Sequence, residues 1–129
     1  MLAALLAAQV GGQHPAHLTG RWFGQGEPHD KSEMWLADLS ANGDITVQFR
    51  ACRKGKARDQ LEKGSWWFAA GIETIRITWS DGQTVFRETP YRILSADGKG
   101  QTYSMPDGFV FKSSRVGADF KIPSCELTS

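Results

Sequence analysis

Three tripeptides punctuate this sequence: Ala41-Asn42-Gly43, Ser80-Asp81-Gly82 and Pro106-Asp107-Gly108. Each stands between runs in which apolar and polar residues alternate. Asn or Asp followed by Gly supplies the left-handed backbone that a tight hairpin needs. Runs joined in this way become antiparallel neighbours, each with a single inward face. From Leu18 onward turn signals recur about every eight to twelve residues, the spacing of sandwiches and barrels. The expected strands are Gly20–Gly26, Glu33–Leu39, Ile45–Cys52, Lys63–Ala69, Thr74–Trp79, Thr84–Leu94, Gln101–Met105 and Phe109–Val116. Pro90 predicts a bulge or an edge in the sixth. No amphipathic helix stands out: Lys56–Lys63 holds helix-favouring residues but is short and mostly polar.

Turn length and side-chain period together set register. At the first turn, a two-residue Asn42-Gly43 loop would set Asp38 opposite Val47 and Leu36 opposite Phe49. A three-residue loop pairs Leu39 with Ile45, Ala37 with Val47 and Trp35 with Phe49. The second is preferred, because the first buries an unpaired carboxylate at a cost of several kcal/mol. At the last turn, Pro106-Asp107-Gly108 pairs Met105 with Phe109 and Tyr103 with Phe111, and carries Ser113 and Arg115 onto the same face. Between strands five and six a three-residue loop sets Ile77 against Val85 and Ile75 against Arg87. A two-residue loop sets Ile77 against Phe86 and Ile75 against Glu88. Either way Arg87 or Glu88 lands inside. Such a conflict marks a functional site or a bulge that re-phases the pleat.

Consecutive hairpins with one apolar face each would leave two open edges as a flat sheet, and closure removes them. The fold expected is all-β, a single up-and-down antiparallel eight-stranded barrel over residues 18–116, with an irregular tail at 117–129. Eight strands enclose an interior that side chains fill or that holds one small ligand. An immunoglobulin-type sandwich would need long crossovers and a Cys–Trp–Cys core, which the chain lacks.

Gly20-Arg21-Trp22 resembles the G-x-W signature that opens lipocalins and their calycin relatives. The resemblance implies that Trp22 packs across one end of the barrel and that Arg115, in the last strand, stacks on it, with Gly20 as the third part of this lid. A second G-x-W, Gly64-Ser65-Trp66, with Gly98, Gly100 and the last strand, is similar to short bacterial lipocalin-like proteins. Leu18-Thr19-Gly20-Arg21-Trp22 also resembles the start of avidin-like chains, but their further Trp motifs and biotin-binding polar residues have no counterpart here. The chain is shorter than typical lipocalins and carries no clear C-terminal helix.

The 129 residues suit one core, and 15 basic against 14 acidic residues give no general attraction to nucleic acid. The local run Arg53-Lys54-Gly55-Lys56-Ala57-Arg58 reads as a solvated hairpin loop or a partner contact. Met1–Ala8 is too short to span a bilayer, which takes about 20 apolar residues. It resembles the apolar part of a secretory signal ending in small residues near Gly11 and Gly12, without a basic start, so residues 1–12 are expected to be a signal remnant and the protein periplasmic or secreted. In such a compartment Cys52 and Cys125 would pair. In the cytosol they would stay reduced and the protein would be cytoplasmic.

No catalytic constellation emerges. His14, His17 and His29 lack ligand spacing or a partnered nucleophile, and neither a metal nor a cofactor is expected. The expected function is non-enzymatic binding of a small apolar or amphipathic molecule. The candidate lining is Trp35, Phe49 and Trp66, then Ile77, Tyr103, Met105, Phe109 and Phe111, with Arg87 or Glu88 as polar anchor. The alternative is a protein-interaction module, such as an inhibitor of a secreted hydrolase, with a filled core and contacts at Glu27–Lys31 and Arg53–Arg58. A small barrel isomerase or cyclase is the third reading.

Overall fold

Hairpin follows hairpin along the chain. The structure, a computed structural model, describes residues 12–27 and 30–125. Its strands are β1 (Gly20–Glu27), β2 (Asp30–Leu39), β3 (Asp44–Arg53), β4 (Lys56–Ala69), β5 (Ile72–Ser80), β6 (Gln83–Ala96), β7 (Gly100–Ser104) and β8 (Val110–Val116). Each pairs antiparallel with the next, and β8 returns to β1, so the sheet closes into an eight-stranded up-and-down barrel. No helix occurs among the described residues, and so none long and apolar enough to cross a membrane. The expected signal remnant lies, apart from Gly12, outside the described residues.

Turn chemistry explains much of this order. Lys54-Gly55, Ala70-Gly71 and Asp81-Gly82 hold both central residues at positive φ, 51° and 76°, 52° and 82°, 45° and 88°. That is the type I′ turn, whose twist matches that of the flanking strands. The basic run is therefore an exposed hairpin as expected, but a tight one: its turn is only Lys54-Gly55, Arg53 stands opposite Lys56, and Lys56–Lys63 belongs to β4. From Lys56 to Leu61 both faces meet water, so alternation gives no sign of a strand there. The three-residue turns behave as expected: Leu39 faces Ile45, Ala37 faces Val47, Trp35 faces Phe49, and Tyr103 faces Phe111.

The β5–β6 hairpin matches neither expected register. It starts as the two-residue turn, with Ser80 opposite Gln83 and Trp79 opposite Thr84, then slips so that Ile77 faces Arg87 and Ile75 faces Thr89. Against β4 the register changes at the same place, where Lys63 faces Trp79 and Gly64 faces Ile77. Thr78 is the residue left over against β4. This bulge re-phases β5, turning Ser80 as well as Ile77 inward. Pro90, by contrast, sits in unbroken register opposite Thr74. It marks a local edge: β7 ends at Ser104, opposite Arg92, so β6 has no strand on that side of Pro90.

Two apolar clusters result. One fills the end of the barrel with Leu18, Trp22, Ala37, Leu39, Ile45, Val47, Trp66 and Ile77. The second lies outside it, where Met34, Leu36 and Cys52 are covered by Ile122 and Phe120. The tail from Gly117 to Cys125 has no regular structure but is strapped down. The Arg21 guanidinium donates to the carbonyls of Gly117, Ala118 and Phe120, Phe120 meets Phe23 at 5.0 Å between ring centres, and Cys125 is bonded to Cys52.

Candidate functional site

The closed end is built around Trp22, which is 1% exposed. Its indole Nε1 donates to Leu18 O at 2.9 Å, which holds the chain entering β1 across the barrel. The Arg115 guanidinium lies 4.4 Å from the Trp22 ring centre, a cation–π contact. Arg115 also donates to the carbonyls of Thr19 and His17. Gly20 permits this: its φ is +121°, and a Cβ there would stand 2.4 Å from Arg115 Nη1. Beside Trp22, Trp66 is 0% exposed and donates to Ser40 O at 2.9 Å, while His14 Nε2 is bonded to Trp66 O at 2.8 Å.

Above this plug the barrel is not filled. A cavity of about 730 Å³ opens toward the β3–β4 end, with Trp22, Ala37 and Val47 as its floor. One wall is aromatic. Trp35 meets Phe111 edge-on at 5.8 Å, Phe111 stacks on Tyr103 at 5.7 Å, and Phe49 stands nearer the mouth, 37% exposed. Trp35 takes this place because β1 offers no side chain at Gly24, where a Cβ would come within 2.0 Å of the indole.

The opposite wall is polar. Glu62, on β4, is 1% exposed and ion-paired with Arg87, reaching over from β6. Its Oε2 also accepts from Ser80 Oγ at 3.0 Å and Gln60 Nε2 at 3.0 Å. Glu73, on β5, is 4% exposed, lines the same cavity, and has no hydrogen-bond partner at Oε2. Burial raises its pKa to about 7, because removal from water penalises the carboxylate more than the acid. Tyr91 and Tyr103 meet edge-on at 5.3 Å, and burial also raises both phenols. Gln101 Nε2 lies 3.1 Å from Ser113 Oγ, while Oε1 is buried and unbonded. At the mouth Arg50 clasps Asp59 through two contacts of 2.8 and 2.9 Å and donates to Pro123 O at 3.2 Å. The hydrogen bond from Arg50 holds the Asp59 carboxyl below its ordinary range.

The expected lining residues thus separate. Trp35, Phe49, Tyr103, Phe111 and Arg87 stand around the cavity. Trp66 and Ile77 belong to the plug beneath it, since the barrel's end is filled by their bulk. Met105 and Phe109 flank the β7–β8 turn beyond the lining, with Phe109 exposed. Glu88 points outward, where Arg76 Nε meets it at 2.8 Å, because the bulge turned Arg87 inward instead. Glu62, Glu73, Tyr91 and Gln101 were not expected. Glu73 was within reach of the alternation rule, since it stands two residues before Ile75 and four before Ile77 on the inner face of β5. His29 lies outside the described residues.

The fold and cavity define a class: a closed eight-stranded antiparallel barrel with an open, half-aromatic, half-polar interior. Comparison with protein-family models, curated proteins and solved structures found no match to this chain, so nothing narrower than that class is identified by likeness.

Proposed function

We propose that this protein is a non-enzymatic container that holds one small amphipathic molecule inside the barrel, with a lipocalin-like plan. The observation that carries the reading is the unfilled interior. About 730 Å³ lies within the usual span of small-molecule sites, roughly 300–1,000 Å³. An aromatic wall facing a polar one suits a ligand with an apolar body and a polar end. The G-x-W segment with Trp22 under Arg115 supports the lipocalin-like plan. The Cys52–Cys125 bridge supports an oxidising compartment, and export to the periplasm or beyond fits it. An interaction module working through its loops would have no use for an interior left open. Native mass spectrometry of protein purified from its own source tests the proposal. The expected result is a co-purifying small molecule released on denaturation. Bare protein that also ignores a panel of fluorescent amphiphiles would overturn it.

A further inference from the structure

Of the charged side chains lining the cavity, Glu33, Arg58 and Asp81 are exposed, and only Glu73 is buried with an oxygen that has no hydrogen-bond partner. Arg87 is paired with Glu62, and Arg50 with Asp59. Arg58 is an exposed cation of the lining, but any other guanidinium there would have to be drawn away from the carboxylate that holds it before it could meet an anionic ligand. Glu73 has no such partner: its Oε2 is buried and unbonded, and the residue lines the cavity from β5. A buried acceptor left without a donor is costly, the more so when charged, and a ligand that supplies the donor recovers that cost.

The surroundings of Glu73 narrow the donor. Its cross-strand neighbours are Phe68 on β4 and Tyr91 on β6. Tyr103 and Gln101 face the cavity from β7, and Ser113 and Phe111 from β8. His17 lies behind Phe68, its ring 6.0 Å from that phenyl, on the segment leading into β1. The other charged groups of the lining are the pairs Glu62–Arg87 and Arg50–Asp59, each neutral as a pair, and the exposed Glu33, Arg58 and Asp81. Aromatic rings near a carboxylate favour a cation at that point, because ring faces are electron-rich. Resting on the container reading above, we propose that the ligand is a cationic amphiphile, a protonated amine on an aromatic or apolar body. Its ammonium sits at Glu73, within reach of the Tyr91 and Tyr103 rings, and its body lies against Trp35, Phe111 and Phe49. Gln101 completes the polar end: with its Nε2 on Ser113 Oγ, its unbonded Oε1 is available to accept from a second ammonium hydrogen.

Such binding is linked to the Glu73 proton. With its pKa near 7, the ionised fraction falls from about nine-tenths at pH 8 to about three per cent at pH 5.5. A ligand that stays protonated over this range should therefore bind about 30-fold more weakly at the lower pH.

The test uses three isosteric probes, 1-naphthylmethylamine, 1-naphthylmethanol and 1-naphthoate, titrated into the full chain by calorimetry. Support would be an amine bound more than about tenfold tighter than the alcohol at pH 8, with the pH loss above, and with both effects gone in Glu73→Gln. If the variant fails to fold, the pH dependence of the wild-type protein decides alone. Equal binding of all three probes, or tighter binding of the naphthoate, would overturn the cationic assignment and leave the container standing. No binding of any probe would overturn both.

Discussion

Replacing Glu73 by glutamine should stabilise the empty barrel at alkaline pH and do much less in acid. The carboxyl has an ordinary pKa of 4.5, and its folded value is near 7. Because the folded value is raised, the folded chain binds this proton more tightly than the unfolded chain does. Stability is therefore lost as pH climbs from about 4.5 to about 7, and the loss is complete above that window. The full gap of about 2.5 pKa units corresponds to about 3 kcal/mol, of which about 1 is already felt at pH 5. Between pH 5 and pH 8 the difference in unfolding free energy between Glu73→Gln and the wild type should thus grow by about 2–3 kcal/mol, roughly 8–10 °C in melting temperature for a chain of this size. The glutamine amide carries its own burial cost, but that cost is the same at both pH values and drops out of the comparison. Urea unfolding followed by tryptophan fluorescence at the two pH values measures it. Parallel behaviour, with a change under about 0.5 kcal/mol, would mean that Glu73 is hydrated or paired in solution. The account of the polar wall would then be wrong.

Four further outcomes are expected. Arg115→Ala removes the contact to Trp22 and two hydrogen bonds to carbonyls, and should lower stability by about 2–4 kcal/mol without changing affinity for an amine probe; unaltered stability would refute the lid. Intact-mass analysis of the native protein should show Cys52 bonded to Cys125, and reducing it should cost up to about 4 kcal/mol for a span of 73 residues; two free thiols after oxidative expression would refute it. Gly24→Val should drive the Trp35 indole off β1 and weaken naphthyl-probe binding about tenfold or more, whereas unchanged binding would remove Trp35 from the site. Arg87→Met should destabilise by about 1–3 kcal/mol, less than a fully buried pair because the guanidinium is half-exposed; adding Glu62→Gln should restore most of the loss, and no rescue would deny the pairing.

The barrel was legible because its information is local. Asn42-Gly43 and Asp107-Gly108 name their turn lengths, and the alternation on either side admits one register with an apolar inner face. Gly20 and Trp22 at the start of the first strand and Arg115 near the end of the last are far apart in sequence, yet β1–β8 closure alone brings Trp22 opposite Arg115. What escaped was non-local. The bulge at Thr78 has no turn residue to announce it, and its cause is tertiary: Gly64, where a Cβ would fall 1.8 Å from Arg76 O, lets the two backbones close in. The second cluster shows itself only as doubled apolar positions, Trp22-Phe23 and Met34-Trp35-Leu36-Ala37, which no single-faced strand needs. They make sense once the tail lays Phe120 and Ile122 over the outside of β1 and β2.

The polar wall was hidden by the rule that found the rest. An inward Asp38 was grounds for rejecting a register, and rightly so: Asp38 faces outward, half-exposed, with Arg21 Nε 3.2 Å away. The same rule, applied along β4 and β5, discourages placing Glu62 or Glu73 inside. Glu62 escapes it by pairing with Arg87, Ser80 and Gln60, a set assembled from three strands and recognisable only once the barrel has closed. Glu73 has no such set: its Oε2 is buried with no hydrogen-bond partner among the described residues. A folded protein can carry such an exception when something outside the chain removes its cost. On the proposal above, the inner carboxylate that the folding pattern cannot account for is the position at which a bound amine would supply the missing partner.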